Sequence, residues 1–207
     1  MTRILLIRHA SAELMTGVLY GRTPGVHLNS EGYKEARKLG EALRMKCDLD
    51  AVISSPLERA TETARFIADP QRLAVSIADG LNEIEFGGWA GKSFSELHEL
   101  PEWREYNRLR SVIRPPHGES AFDVQARAWA TLIRIAAAHR DAMVAVVTHG
   151  DVIRYLLILL LGMPIDHILR LEIGPASISE IVLGADHPVV RTVNQTVWSG
   201  VPSERPH

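Results

Sequence analysis

Two short apolar runs, far apart in the chain, each lead directly into a histidine. Residues 3–7 (RILLI) are followed by Arg8-His9-Ala10, and residues 143–147 (MVAVV) by Thr148-His149-Gly150. Short runs rich in aliphatic and β-branched residues are typical of buried strands in a parallel sheet. In an open α/β sheet, ligands bind beyond the carboxyl ends of the strands. If these two strands are parallel neighbours, two imidazoles and an arginine meet in one crevice.

Strand-like and helix-like segments alternate along the chain, which favours an α/β fold with a largely parallel sheet. Further strands are predicted at 51–54 and 74–77, at 169–173 and 177–183 as a terminal hairpin or edge strands, and at 189–197. Helices are predicted over 29–46, from Ser55-Pro56, from Ser93, around 103–109, over 120–139 and from Asp151 through 156–163. Asn29 or Ser30, Ser93, Ser120 and Asp151 are the expected caps. The predicted inner faces are Tyr33, Ala36, Gly40 and Leu43 in the first helix, and Phe122, Ala126, Trp129 and Ile133 in the 120–139 helix.

Bulk composition excludes several classes of protein. The 207 residues are 46% hydrophobic and 23% charged, which is ordinary for one globular domain over 1–207. A net charge of −2 gives no general attraction to nucleic acid or anionic membranes. The single cysteine, Cys47, excludes an internal disulfide and a cysteine-based zinc cluster.

Location and local organisation are also predicted from the sequence. Arg8 and His9 interrupt the first apolar run, and residues 156–163 are too short to cross a bilayer, so we expect a cytoplasmic protein. Residues 79–118 are the least regular stretch, and we interpret residues 90–118 as an insertion that covers the site. Residues 202–207 are expected to be a frayed tail.

The two histidines are candidates for phosphate chemistry. A neutral imidazole can attack phosphorus and carry the phosphoryl group covalently, and Arg8 beside His9 would neutralise the phosphoryl oxygens. Gly150 permits a tight turn before the next helix, whose N-terminus favours anions. For His149 alone, a histidine that only caps the turn is an equally good interpretation.

Arg59 and Glu83 are the other candidates. Arg59 lies in the first turn of a helix that follows a strand, where its fork of donors would meet a phosphate. Taken alone, a solvated helix arginine explains it better. Glu83 and Glu85 alternate with apolar residues, so only one of them faces a given side. A carboxyl near aromatic surface can have a raised pKa and act as an acid near neutral pH, whereas the alternative is two ordinary solvent-facing acids.

Together these segments resemble the histidine phosphatase superfamily, also called the phosphoglycerate mutase-like family. The matching stretches occur in the family's order: 6–9 (LIRH), 28–32 (LNSEG), 54–64 (SSPLERATETA), 83–89 (EIEFGGW), 118–120 (GES) and 147–150 (VTHG). The Arg-His pair alone is weak, whereas the Ser-Ser-Pro block with a later His-Gly at a strand end is specific. The resemblance covers residues 3 to about 160, and it implies a three-layer α/β/α sandwich with a mostly parallel central sheet.

The resemblance also implies a role for each candidate. His9 would be the nucleophile that becomes phosphohistidine, and Glu83 the general acid that then assists water. The remaining phosphate pocket would consist of Arg8, Arg59, His149 and the backbone N–H of Gly150. No metal or nucleotide cofactor is implied, because the arginines and His149 take the charge-stabilising role.

The chain departs from the family's pattern just after the nucleophile. Many members carry an asparagine there that contacts the phosphoryl group, and here Met15 or Thr16 takes its place. Thr16 is therefore a candidate to supply that contact. Gly21-Arg22 still fits the family's loop, so Gly21 and Arg22 are candidate substrate contacts, with a surface arginine as an equal alternative for Arg22. Candidates for the entrance are His27, Trp89, Trp103, Tyr106 and Arg114.

A phosphatase acting on a small phosphorylated substrate is the function we predict, with neither nucleic acid nor membrane as partner. A phosphoglycerate mutase must shield the phosphorylated enzyme from water, and the 90–118 insertion looks short for that purpose. A phosphate- or phosphoprotein-binding module with negligible turnover is a second alternative. A metal hydrolase is a third, although the nine histidines show no His-x-x-x-His spacing. The terminal strands would lie at the edge of a homodimer if one forms.

Overall fold

A mixed sheet forms the centre of the protein. The computed structural model describes residues 1–12, 17–184 and 187–196. Within them the sheet has the order β3-β2-β4-β1-β5-β6. Its strands are β1 (Thr2–Arg8), β2 (Ala51–Ser54), β3 (Val75–Ile77), β4 (Met143–Thr148), β5 (Ile178–Leu183) and β6 (Val189–Val190). The first four strands pair in parallel and the last two add to the β1 edge in antiparallel fashion, which confirms the mostly parallel sheet.

The pairing of β1 with β4 places the two histidines side by side. The strands are parallel, and Arg8 lies opposite Thr148. His9 and His149 therefore leave the sheet at the same height, at the carboxyl ends of adjacent strands. The prediction that these strands are parallel neighbours is confirmed.

Helices cover both faces of this sheet. They are α1 (Ser30–Lys46), α2 (Glu58–Gln71), α3 (Phe94–Glu99), α4 (Pro101–Arg108), α5 (Ala121–Ala138) and α6 (Gly150–Leu160), with 3-10 turns at Asp79–Leu81, Gly87–Trp89 and Ile165–Arg170. Alternate residues of β1 point to opposite faces. Leu5 and Ile7 pack in the core under α1 and α2, whereas Ile4 and Leu6 pack in the core under α5 and α6. The architecture is the three-layer sandwich that the sequence resemblance implies.

Local capping chemistry follows the sequence closely. The Asn29 side chain accepts a hydrogen bond from the N–H of Gly32 at 2.8 Å and so begins α1. Ser93 and Ser120 each form a capping box, with Glu96 and Asp123 respectively. Each of these bonds satisfies N–H groups that a helix N-terminus otherwise leaves without a partner.

Several predictions about helix details are wrong. Helix α2 begins at Glu58 rather than at Ser55-Pro56. The N-cap of α6 is His149, and Asp151 lies inside the first turn. The buried face of α5 consists of Ala121, Val124, Ala128, Thr131, Leu132 and Ile135, whereas Phe122 and Ile133 are exposed. Apolar residues surround this helix almost completely, so periodicity alone selected the wrong face.

Three further expectations differ from the structure. Tyr33 is exposed and contacts Phe66 edge to ring, although Ala36, Gly40 and Leu43 are buried as predicted. Residues 169–173 are not a strand: the first two belong to the 3-10 turn Ile165–Arg170, and no strand is assigned to the other three. Of the predicted strand at 189–197, only Val189–Val190 is assigned, and residue 197 and the 202–207 tail lie outside the described residues.

The 90–118 segment forms α3 and α4 at one end of the molecule. Trp103 packs edge to ring against Trp89, with ring centroids 5.3 Å apart, and Tyr106 packs against the same Trp89 at 5.2 Å. These aromatic contacts fix α4 beside the carboxyl ends of the strands, and Phe94 of α3 packs against Trp103 with ring centroids 6.3 Å apart. Among the helices of the described segments, none is long and apolar enough to cross a membrane.

Candidate active site

A cavity of about 590 Å³ opens at the carboxyl ends of β1 and β4. This volume is in the range of small-molecule sites. Its polar wall contains Arg8, His9, Gly21, Arg59, Glu83 and Gly150. The structure therefore brings together residues from five segments that are far apart in the sequence.

Hydrogen bonds fix the tautomer and orientation of His9. Its Nδ1 lies 2.8 Å from the carbonyl oxygen of Ala10. Because a carbonyl oxygen only accepts, Nδ1 carries the proton and Nε2 keeps its lone pair. Nε2 accepts a hydrogen bond from Nε of Arg59 at 3.3 Å. The lone pair of His9 is therefore on Nε2, the nitrogen that faces the Arg59 guanidinium.

The His9 ring is held neutral. Its side chain is buried, and this burial lowers the pKa well below the usual histidine value, with the charges of Arg59 and Arg8 adding to the effect. A neutral ring is the nucleophilic form. The site therefore keeps the imidazole ready to attack throughout the neutral pH range.

His149 lies against His9, with the ring centroids 5.2 Å apart. Its Nε2 is 2.7 Å from Oγ of Ser55, whose oxygen also accepts the N–H of Leu57 at 3.5 Å. The Ser55 hydroxyl can donate to Nε2 or accept from it, and the other ring nitrogen, Nδ1, is buried with no hydrogen-bond partner in the described residues, 3.8 Å from Oε2 of Glu83. His149 is fully buried and does not line the cavity surface, and burial followed by the charge of Arg59 lowers its pKa well below the usual value.

Arg59 reaches the site from the first turn of α2. It is 4% exposed, and its Nη2 donates to the carbonyl oxygen of Gly21 at 2.8 Å. Gly21 has φ +53°, a left-handed conformation that favours glycine and turns this carbonyl toward the guanidinium. The Nη1 atom of Arg59 is buried with no partner in the described residues. A buried donor without a partner is costly, so this group is set to bind an anion.

Arg8 and Gly150 form the opposite side of the anion site. Arg8 Nη1 donates to the carbonyl oxygen of Ile173 at 2.6 Å, whereas its Nε is buried with no partner in the described segments. A Cβ at position 150 would lie 3.3 Å from that Nε, so glycine leaves room beside it. Gly150 is the first residue of α6, where N–H groups and the helix dipole favour anions.

Glu83 projects from an irregular loop, residues 79–89, which we call the acid loop. Its side chain is 15% exposed, and Oε1 accepts the N–H of Ile84 at 2.9 Å. Burial and then the charge of Asp151 raise the pKa of Glu83 to about 7, although Arg59 opposes the shift. Near neutral pH the group is therefore able both to give and to take a proton.

Substitution of Glu83 by glutamine is expected to stabilise the fold at alkaline pH. A carboxyl whose folded-state pKa is raised costs stability once it would ionise in the unfolded chain, so the cost grows as pH rises from the ordinary glutamate pKa to about 7 and is constant above that. The gain for Glu83→Gln should reach about 2–3 kcal/mol near pH 8 and fall below about 1 kcal/mol near pH 5. Denaturant unfolding of both proteins at the two pH values measures it. An equal gain at both pH values would contradict the raised pKa.

Most of the predicted site residues lie together, and Arg22 does not line the cavity with them. Arg8, His9, Arg59, Glu83 and Gly150 meet at the cavity with His149 behind them, and Gly21 lines its rim. Arg22 does not line the cavity: it donates to the Glu83 carbonyl oxygen at 2.7 Å and to Glu119 at 2.7 Å. It therefore supports the acid loop, and its role as a substrate contact stays a prediction. Thr16 and Met15 lie outside the described residues.

The far wall of the cavity contains charged residues that the sequence did not indicate. Asp151 accepts Arg110 at 2.8 Å and Arg154 at 2.7 Å, and all three line the cavity. Of the predicted entrance residues only Trp103 lines it, and Arg114 instead donates to the Gly118 carbonyl oxygen. The sequence-level signal for Arg110 was its place in the insertion that packs over the site. Nothing in the local pattern distinguished it from neighbouring arginines.

In the segments that the structure describes, no group of three or more histidine, cysteine, aspartate or glutamate side chains is arranged to hold a metal ion. The Cys47 thiol lies at the opposite end of the sheet, beside Arg3, and burial raises its pKa. A raised thiol pKa disfavours the thiolate, so a nucleophilic role for Cys47 is disfavoured.

Comparison with known proteins places this geometry in a family. The model of the histidine phosphatase superfamily (branch 1) matches residues 4–196. A bifunctional protein of Mycobacterium tuberculosis is 36% identical over 197 residues, which are 94% of this chain and 54% of that protein, so the chain spans about half the length of this curated relative. Phosphoserine phosphatase 1 of Hydrogenobacter thermophilus is 30% identical over 97% of this chain and 95% of its own length.

Solved structures agree with the sequence comparisons. A phosphoserine phosphatase mutant from Entamoeba histolytica, solved in complex with phosphoserine, superposes with a TM-score of 0.85 and 26% identity, over 95% of this chain and 98% of that one. The chain therefore belongs to the histidine phosphatase superfamily.

Proposed function

We propose that this protein is a metal-independent phosphatase that hydrolyses small phosphomonoesters through a phosphohistidine on His9. The observation that carries the proposal is the neutral His9 ring, with its Nε2 lone pair facing two buried arginines that have unpartnered donors. The family membership and the named phosphatases among the relatives support it. The predicted cytoplasmic location and any homodimer stay predictions, to be checked by fractionation and light scattering.

The first step transfers the phosphoryl group to the enzyme. The lone pair on His9 Nε2 attacks phosphorus, and the bond between phosphorus and the leaving oxygen breaks. Protonated Glu83 gives its proton to that oxygen, so the product leaves as a neutral alcohol. The proton on Nδ1 of His9 stays hydrogen-bonded to the Ala10 carbonyl oxygen, which stabilises the positive charge that develops on the ring.

The second step returns the enzyme to its starting state. Glu83, now ionised, takes a proton from a water molecule as the water oxygen attacks phosphorus. The phosphorus–nitrogen bond breaks and its electron pair returns to His9 Nε2. Inorganic phosphate leaves, and Glu83 again holds the proton needed for the next cycle.

Fixed donors stabilise the charge of the transferring group in both steps. Arg8 and Arg59 present buried N–H groups, and the Gly150 N–H lies at the start of α6. Nδ1 of His149 lies on the Glu83 side with no hydrogen-bond partner in the described residues, where a proton on it would supply a further donor. Preorganised donors in a buried site are worth more than the same groups in water. We therefore expect activity to survive a chelator.

The far wall of the cavity favours a leaving group that carries a carboxylate. Four arginines and two carboxylates line the cavity. Burial opposes ionisation of Asp151, but Arg110 and Arg154 lower its pKa, so it stays charged and neutralises one of them. One positive charge then remains for the substrate's non-reacting end. The relatives named phosphoserine phosphatases take, by their names, a substrate with such a carboxylate.

Matched substrates test this preference. 3-Phosphoglycerate should be hydrolysed with a kcat/KM at least about 10-fold above that of glycerol 3-phosphate, which lacks the carboxylate, as one charge-assisted contact is worth about 1.5–3 kcal/mol. Arg154→Gln should lower kcat/KM for 3-phosphoglycerate and leave that for glycerol 3-phosphate unchanged, so that most of the difference between the two substrates disappears. Arg104→Gln, on the exposed surface of α4, is the matched control. Equal rates for both substrates in the wild type would overturn the carboxylate preference without affecting the phosphatase assignment.

The phosphatase itself is tested by product analysis. With 3-phosphoglycerate, the proposal predicts release of inorganic phosphate in step with loss of substrate, with and without chelator. Conversion to 2-phosphoglycerate with little free phosphate would show a mutase instead. Phosphate binding with no turnover of any phosphomonoester would show a binding module.

A further inference from the structure

The acid loop depends on polar contacts for its final position. Its apolar side chains Leu81, Ile84, Phe86 and Trp89 are buried in the core, which sets the general course of the backbone. Glu83 lies between these anchors and points to the cavity instead. Because the Glu83 side chain does not pack in the core, hydrogen bonds must fix the position of the backbone at this residue.

One arginine of α5 binds three carbonyl groups of this loop. Arg127 Nη1 donates to the carbonyl oxygens of Gly80 at 2.9 Å and Asn82 at 2.7 Å, and Nη2 donates to that of Glu83 at 3.0 Å. Nε of Arg22 donates to the same Glu83 oxygen at 2.7 Å. Two guanidinium groups thus hold the main chain of the acid residue itself.

Glu119 holds both arginines. It accepts Nε of Arg127 at 2.9 Å through Oε1, and Nη2 of Arg127 at 2.9 Å and Nη2 of Arg22 at 2.7 Å through Oε2. The same Oε2 accepts the backbone N–H of Glu85 at 3.1 Å. One carboxylate therefore ties two arginines to each other and to the loop two residues beyond Glu83.

Neither Glu119 nor its two arginines line the cavity. They touch Glu83 only through its main chain, so their contacts act on the acid by setting its position, while the charge of Arg127 also lowers the pKa of His149. Networks of charge-assisted bonds of this kind rigidify the groups they hold. We propose that Glu119 is the positioning residue of the general acid, and that the Glu119–Arg127–Arg22 cluster sets how well Glu83 reaches the leaving oxygen. The proposal rests on the proposed function.

A comparison of leaving groups tests the proposal. Glu119→Gln is expected to lower kcat/KM for glycerol 3-phosphate by about 10- to 100-fold, because the alkoxide leaving group of this substrate needs a proton from Glu83. This loss is part of the loss expected when the general acid is removed altogether. For p-nitrophenyl phosphate, whose leaving group departs without a proton, the loss should stay below about 3-fold. The ratio kcat/KM reports the steps up to phosphoryl transfer, so slow hydrolysis of the phosphoenzyme does not mask the contrast. A purely structural role would lower both values alike.

A double-mutant cycle adds a second readout. If Glu119 acts through Glu83, the Glu83→Gln/Glu119→Gln double variant should be no slower than Glu83→Gln alone with glycerol 3-phosphate. Additive losses would overturn the proposal. So would an equal loss with both substrates in the single Glu119 variant.

Further variants keep the test decisive if Glu119→Gln folds poorly. Arg22→Gln removes one of the two donors to the Glu83 carbonyl, and it should give a smaller loss with the same dependence on leaving group. A rise in KM without that dependence would instead make Arg22 a substrate contact. Glu105→Gln, which removes an exposed ion pair with Arg108 on α4, is the control and should change neither substrate. If the wild type hydrolyses neither substrate, the proposed function fails before this inference is reached.

Discussion

Replacement of His9 by alanine is expected to lower kcat for phosphomonoester hydrolysis by about 10⁴-fold or more and to abolish the phosphoenzyme. The reason is that the covalent path needs a neutral nitrogen at the cationic end of the cavity. Among the described residues that line this cavity, His9 alone supplies an imidazole. His149 is too deeply buried to take over, since it is fully enclosed behind His9.

Steady-state rates of the purified variant, with thermal unfolding as a folding control, measure this effect. The matched control is His98→Ala, which removes an exposed imidazole of α3 and should leave the rate unchanged. Phosphate affinity of the His9 variant should persist, because Arg8 and Arg59 remain. Activity of His9→Ala near the wild-type level would rule out the covalent mechanism.

Replacement of Glu83 by glutamine is expected to give the second large effect. With an alkyl phosphate, kcat/KM should fall by about 10²- to 10⁴-fold, whereas with p-nitrophenyl phosphate it should fall far less. The wild type should also lose kcat/KM for the alkyl ester as pH rises above about 7, because ionised Glu83 has no proton to give.

Glu85 provides the matched control for this substitution. It is the next acid along the same loop, it accepts the N–H of Gly87 and it does not line the cavity. Glu85→Gln should change kcat/KM for the alkyl ester by less than about 3-fold. A loss with Glu85→Gln equal to that with Glu83→Gln would mean that the acid is misassigned.

The core of the site was predictable because it depends on local rules. Parallel neighbouring strands end at one edge of a sheet, so His9 and His149 meet there once their two apolar runs are recognised as strands. The alternation around Glu83 predicted that one acid faces the site, and the structure selects Glu83 over Glu85. Arg59 was assigned to the site by the resemblance, because its position in the first turn of a helix alone favoured a solvated arginine.

The far wall and the supporting cluster were not predictable in the same way. A carboxylate in the first turn of a helix either caps the helix or pairs with a cation, and only the distant Arg110 decides this for Asp151. Arg22 looked equally suited to substrate and to surface, because its partner Glu119 is 97 residues away. Such choices depend on tertiary contacts that no local pattern records.

The most direct test of the account is to locate the phosphoryl group on the enzyme. The wild type is mixed with an excess of a labelled phosphomonoester, quenched in alkali within one turnover, digested and analysed by mass spectrometry and phosphorus NMR. The account predicts a phosphoryl group on Nε2 of His9, because Nδ1 is hydrogen-bonded to the Ala10 carbonyl oxygen. A phosphoryl group on Nδ1 of His9 or on His149, or turnover with no phosphohistidine at any time, would contradict it.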